Sequence, residues 1–244
     1  MEKNKKTLVI IPARGGSKRI PHKNIREICG QPMIYWPLME LSKLFKSKNV
    51  IVTTDDDEIV SKVEKVGLRV PFKRPEELSD DHTGTMPVAT HALQWFESNV
   101  ARVEYVIIVY PTAVMLNVED ICSALSVLNS DPNCDSVMSA THFPFPIQRA
   151  VYKNSEGYAE MFKPEHYSTK SQDLTEGLHD AGQFYVCRAE SVRVGKTLTN
   201  SKVKLHPLHK NKVVDIDTIE DFEVAEARLQ LFEYGLYDKD WSFD

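Results

Sequence analysis

The run Ile10-Ile11-Pro12-Ala13-Arg14-Gly15-Gly16-Ser17-Lys18-Arg19-Ile20-Pro21-His22-Lys23-Asn24 places a glycine pair, a hydroxyl and four cations directly behind a short apolar stretch. Residues 8–11 read as a buried strand, Pro12 stops it, and the glycines free the backbone to bend around a ligand. Amide N–H groups in such a bend can face an anion, and Arg14, Lys18, Arg19 and Lys23 supply charge-assisted donors of the kind a triphosphate needs. Asn24 can donate or accept at a sugar hydroxyl or base. The spacing fits neither the Walker A loop nor the three-glycine dinucleotide fingerprint, so a third kind of nucleotide loop is implied.

Behind this loop, apolar runs alternate with helical stretches. Strands are predicted at 8–11, 50–53 and 105–110, and helices from about Met33, from about Asp57, within 85–96 and over 117–129, the last with Asn117 and Asp120 as a capping box. Such alternation predicts an α/β fold whose parallel sheet is covered on both faces, with ligands at the carboxyl ends of its strands. The rhythm breaks after a strand at 136–140. Residues 143–180 carry little helical periodicity and read as an inserted arm within one domain spanning 1–244. Regular structure is expected to resume at 181–187. A further strand is predicted at 213–217, then a helix capped by Thr218 and Asp221 that aligns Ile219, Phe222, Ala225, Leu229 and Phe232. The tail from Asp238 to Asp244 has no evident element.

Composition narrows the function classes. The 244 residues are 42% hydrophobic, enough for one substantial core, and the net charge of −5 gives no global field for nucleic acid, so any anion site is local. No run approaches the ~20 apolar residues of a membrane span, and a cytoplasmic protein without membrane or nucleic-acid partners is expected. Neither the four cysteines nor the eight histidines show metal-ligand or redox spacing, so reduced thiols are expected and zinc or serine-hydrolase chemistry finds no support.

The second chemical landmark is Asp215-Ile216-Asp217, whose alternation on a strand would turn both carboxylates to one face and Ile216 inward. The bland reading of Asp217 is a helix-start acid. With the glycine loop, this segment resembles the CMP-sialic acid synthetase family, cytidylyltransferases that join CMP to acidic eight- or nine-carbon sugars. The resemblance implies an open, mostly parallel Rossmann-like nucleotidyltransferase sheet with an arm that dimerises. It also implies a nucleotide site at Ala13, Arg14, Gly15, Ser17, Lys18, Lys23 and Asn24, with Asp215 and Asp217 holding Mg2+. Val52-Thr53-Thr54-Asp55-Asp56 resembles the family's second-strand segment, its acids read as helix-start residues. Arg74-Pro75 and Asp81-His82-Thr83-Gly84-Thr85 resemble the segment that holds cytosine, which adds Arg74 and Thr85; an ion pair with Glu76 or Glu77 is the alternative for Arg74.

On the sugar side the chain departs from the common pattern. Sialic acid enzymes usually carry Gln-Pro-Thr-Ser-Pro where this chain has Tyr110-Pro111-Thr112-Ala113-Val114. That segment, Phe143-Pro144-Phe145-Pro146 with Gln148 and Arg149, the words around Lys163, His166 and Gln172, and His179-Asp180-Ala181-Gly182-Gln183-Phe184-Tyr185 resemble the pseudaminic acid cytidylyltransferase branch. Val114 and Val186 depart from that branch. The resemblance implies sugar contacts at Tyr110, Thr112, Gln148, Arg149, Gln172, Gln183 and Phe184, some offered across a homodimer. The implied reaction has Arg14 and Lys23 gripping phosphate while the sugar's anomeric hydroxyl attacks the α-phosphate of CTP, activated by the metal or by one of the aspartates. The same chemistry on sialic, legionaminic or another keto-sugar acid is the near alternative. A nucleotide-binding protein without chemistry is the distant one, opposed by the intact cations and acids.

Overall fold

The computed structural model describes residues 6–196 and 200–233. Along the chain, β1 (Thr7–Pro12) leads through the glycine loop into a small hairpin, β2 (Glu27–Ile28) and β3 (Gln31–Pro32). Then come α1 (Tyr35–Ser42), β4 (Val50–Thr53), α2 (Asp57–Lys65), α3 (Thr85–Asn99), β5 (Tyr105–Val109), α4 (Val118–Ser130) and β6 (Ser136–His142). The arm carries the hairpin β7 (Val151–Lys153) and β8 (Ala159–Met161), after which β9 (Leu178–Arg188), α5 (Ala189–Arg193), β10 (Val203–Pro207) and α6 (Ile219–Glu233) follow.

The central sheet has the order β10-β6-β9-β5-β1-β4. β1 lies parallel to β4 and β5, and β10 parallel to β6, but β9 runs antiparallel to both its neighbours. A parallel return needs a covering crossover helix, whereas β6 and β9 are joined by the arm alone and meet as a long hairpin. The mostly parallel sheet expected from the sequence is therefore present, with one strand reversed.

Alternation in β1 builds both cores. Val9 and Ile11 pack with Leu38 and Leu41 of α1, Ile59 and Val63 of α2, and Ile121, Ala124 and Leu128 of α4. Leu8 and Ile10 face Ala89, Ala92, Leu93 and Phe96 of α3 and Val192 of α5. Each fully buried aliphatic side chain of this kind contributes about 1.5–3 kcal/mol. A third cluster closes the loop end of the sheet: Ile20, Ile28, Met33, Val114 and Ile216 pack under Phe222, Ala225 and Leu229 of α6. The glycine loop is thus backed by a core of its own, which fixes it against the last helix.

Several local expectations change. Residues 213–217 form no strand, because Ile216 is buried beneath α6 rather than beside a sheet neighbour. Asn117 caps α4 through the Glu119 amide at 2.9 Å, but Asp120 does not close a capping box, since its carboxylate meets His206 at 3.1 Å and Lys212 at 3.4 Å. Thr218 and Asp221 do form one, with Thr218 N to Asp221 at 2.8 Å and Asp221 N to Thr218 Oγ1 at 3.2 Å. Ile219 stays 39% exposed, off the packed face of α6. The tail from Asp238 to Asp244 lies outside the described residues.

Candidate active site

A cleft of about 530 Å3 opens at the carboxyl ends of β1 and β5. Arg14, Ser17, Lys18, Arg19, Lys23 and Asn24 line one side, Arg74, Asp81, Thr83 and Thr85 another, with Tyr110, Pro111, Thr112 and Asp217 completing it. Crevices beyond strand carboxyl ends are the ligand sites of open α/β sheets. The loop is rigidly held. Asn24 Nδ2 donates to the Arg14 carbonyl at 2.8 Å, and the Gly15 amide donates to Asp55 Oδ1 at 3.0 Å. A Cβ at Gly15 would stand 2.7 Å from the Asp56 Cβ and closer still to its carboxylate, so this position excludes any side chain. Asp56 caps α2, bonding the amides of Glu58 and Ile59 at 2.8 and 3.0 Å.

Every loop cation already has an anionic partner. Arg14 meets Asp81 at 2.8 Å and Lys18 pairs with the same carboxylate, which these cations hold below the usual carboxylate range. Arg19 and Lys23 converge on Asp217 Oδ1 at 2.8 and 3.2 Å, and Lys23 also donates to the Ile216 carbonyl at 2.7 Å. Asp215 is solvent-exposed, and its carboxyl is pushed up, first by partial desolvation and then by the charge of Asp217. Among the described residues no group of three His, Cys, Asp or Glu side chains converges as a metal cage. Two neighbouring carboxylates nevertheless fit Mg2+, which usually takes one or two protein carboxylates plus phosphate oxygens, and a divalent cation would relieve their mutual repulsion.

Arg74 is 5% exposed and pairs with neither Glu76 nor Glu77; it donates to Thr53 Oγ1 at 3.2 Å and to the Thr53 carbonyl. Burial lowers its guanidinium to about 10, which leaves it charged near neutral pH, at the base of the cleft. The Tyr110 hydroxyl lies 2.6 Å from Thr85 Oγ1, and its ring meets Tyr185 edge-on at 5.9 Å. Burial raises both phenols, keeping them neutral, and Tyr185 donates to Asp180. The Asp180 contact has no local signal in the chain, because it depends on how β9 bends.

Other expected site residues stand elsewhere. Ala13 is buried and its amide donates to the Thr53 carbonyl at 3.0 Å, so it ties β1 to β4 rather than presenting an N–H to a nucleotide. Phe184 is fully buried in the core shared with α4, because its register opposite Val109 turns it away from the cleft, and it makes no sugar contact. Gln183, 4% exposed, is likewise not a wall of the cleft and donates to the Lys212 carbonyl. Gln148, Arg149 and Gln172 sit on the arm outside the cleft, where Gln148 donates to the Thr175 carbonyl at 2.6 Å and Arg149 to that of Thr169.

Cations that grip a polyphosphate, set against carboxylates able to hold a divalent ion, are the requirements of in-line transfer at phosphorus. On this sheet they define a nucleotidyltransferase. The family model described as Cytidylyltransferase matches residues 8–227, and the chain belongs to that family. It is 36% identical over 221 residues to a pseudaminic acid cytidylyltransferase of Campylobacter jejuni, covering 91% of this chain and 95% of that one. It is 26% identical to a CMP-N,N'-diacetyllegionaminic acid synthase of Legionella pneumophila, over 94% and 98% of the two chains. Among solved structures, a CMP:2-keto-3-deoxy-manno-octonic acid synthetase complexed with CTP shares the fold with a TM-score of 0.69 at 19% identity, over 93% and 99% of the chains.

Proposed function

We propose that this enzyme transfers CMP from CTP to pseudaminic acid, releasing pyrophosphate. One observation carries this: four loop cations converge on a cleft that ends at Asp217 on one side and at the Tyr110 phenol on the other. Their carboxylate partners stand where phosphate oxygens would be expected, so binding CTP exchanges one set of anions for another. Arg14 and Lys18 leave Asp81, and Arg19 and Lys23 leave Asp217. Asp215 and Asp217 would then hold Mg2+, whose charge offsets that developing on the phosphates. The C2 hydroxyl of the sugar acid gives its proton to one of these aspartates or to solvent, and its oxygen bonds to the α-phosphorus as the bond to pyrophosphate breaks. Thr83 and Thr85, with buried Arg74 beneath, offer small polar contacts for the base.

Tyr110 carries the choice of acceptor. Held neutral by burial and bonded to Thr85, it presents a ring face and one hydroxyl where the sialic acid pattern has an amide, which suits a deoxy, acetamido-bearing sugar better than a polyhydroxylated side chain. The arm supports a homodimer. Phe145, Tyr158, Phe162 and Tyr167 are 80%, 69%, 66% and 82% exposed, a cost that a second subunit removes, and Arg149, Gln148 and Gln172 stand clear of their own chain's cleft, on the surface that a neighbour would meet. The four cysteines are thiols rather than disulfides, which supports a cytoplasmic enzyme. Competition between pseudaminic acid and N-acetylneuraminic acid tests the acceptor: strong preference for the former is expected, and equal kcat/KM for the two would refute it.

A further inference from the structure

The acids at 215 and 217 sit on a segment with no ladder to hold it, so its placement depends on side chains reaching its carbonyls. Three do so. Lys23 donates to Ile216 O at 2.7 Å, Arg228 of α6 to Lys210 O at 3.0 Å and Val213 O at 2.9 Å, and Gln183 Nε2 to Lys212 O. Lys23 belongs to the phosphate site, whereas Arg228 and Gln183 do not line the cleft. Gln183 is also where β9 departs from regular geometry. Pairing with β6 passes from Met138–Tyr185 to Ala140–Asp180, so four residues of β9 oppose the single Ser139. Bulges of this sort turn side chains to new directions.

The bulge is built with its polar groups satisfied. Gly182 takes φ +61°, its amide donates to Asp180 Oδ1 at 2.8 Å, and the Phe184 amide donates to Ser139 Oγ at 3.0 Å. Asp215 rests against it: a Cβ at Gly182 would lie 3.9 Å from Asp215 Oδ1. The Gln183 carbonyl accepts from the Tyr110 amide at 2.9 Å, so one residue is tied through its backbone to the acceptor wall and through its side chain to the approach to the acids. A Gln183 amide that turned to a sugar instead would strand the Lys212 carbonyl.

We propose that Gln183 and Arg228 are positioning residues, which clamp the 210–213 backbone from β9 and from α6 and so set Asp215 and Asp217 against Tyr110. This rests on the two acids holding a divalent cation, as proposed above. Mn2+ serves as the probe, its free concentration followed by electron paramagnetic resonance in the presence of CTP, with thermal midpoints checking the fold. Gln183→Met and Gln183→Asn, which lose the donor or its reach, and Arg228→Met should each weaken Mn2+ binding by about 10-fold or more, the range for outer partners of metal ligands. KM for the sugar acid should stay near that of the parent enzyme, because the Tyr110 contact uses only the Gln183 backbone. Asp217→Asn separates the two levels. If it weakens Mn2+ binding while the Gln183 and Arg228 variants bind normally, the clamp is wrong and the metal site stands; a raised sugar KM with normal Mn2+ binding overturns it in favour of direct sugar contact. Normal binding in all four variants overturns the clamp together with the metal site.

Discussion

Arg14 shows how much a single side chain in this cleft is asked to do. Its guanidinium bonds Asp81 and the Asp80 carbonyl, both on a solvent-facing turn, so it contributes little to the folded state. Arg14→Ala should therefore leave the thermal midpoint nearly unchanged while kcat/KM falls by the equivalent of about 2–4 kcal/mol, the usual loss when a group that meets developing charge is removed. Steady-state kinetics with CTP beside calorimetry checks this, and near-parent turnover would remove Arg14 from the phosphate site. The loop cations were legible in the sequence because their chemistry is local: glycine freedom and cation spacing need no partner. Phe184 and Gln183 were not. Which way each points is decided by register against β5 and by the bulge against Ser139, neither of which is encoded near them in the chain.

At the scale of elements, capped helices could be read directly, since Asp56, Asn117 and Thr218 each bond amides two or three residues ahead. The edge strand β10 could not, because its alternation mixes Lys204 and His206 with half-exposed apolar residues. The acid segment invited the opposite error. A single buried Ile216 between two aspartates imitates strand alternation without a sheet. Helix packing beyond the core depends on Arg193 of α5, which grips Glu97 of α3 through two bonds at 2.9 and 2.7 Å and the Val103 carbonyl at 2.8 Å. Arg193→Met should destabilise the protein at neutral pH by about 1.5–3 kcal/mol, as for hydrogen bonds to charged groups. The Arg193 guanidinium holds Glu97 below the ordinary glutamate value, so the contribution is present above about pH 4.5 and is lost as pH falls through the depressed folded value. Urea unfolding at pH 7 and pH 3 checks this: the gap between parent and variant should narrow in acid, and a constant gap would contradict the ionic origin.

For the whole molecule, the sheet was foreseeable from the alternation of strands and helices, whereas its reversed strand and the reach of the arm depend on contacts far apart in sequence. The arm's exposed aromatics predict a dimer at micromolar concentration, with Phe145→Ser and Tyr167→Ser together shifting light scattering toward monomer; a parent protein that is monomeric at that concentration would contradict the arm's proposed role. No helix among the described residues is long and apolar enough to cross a membrane. In the proposed function the cationic loop and the acid pair act together on CTP and a keto-sugar acid, and pyrophosphate release reads out that joint action. With CTP, Mg2+ and pseudaminic acid the parent enzyme should release pyrophosphate in step with CMP-sugar formation, and Asp217→Asn should reduce that release by orders of magnitude while remaining folded. Release at the parent rate by Asp217→Asn at every Mg2+ concentration, or no release by the parent enzyme with any keto-sugar acid, would contradict it.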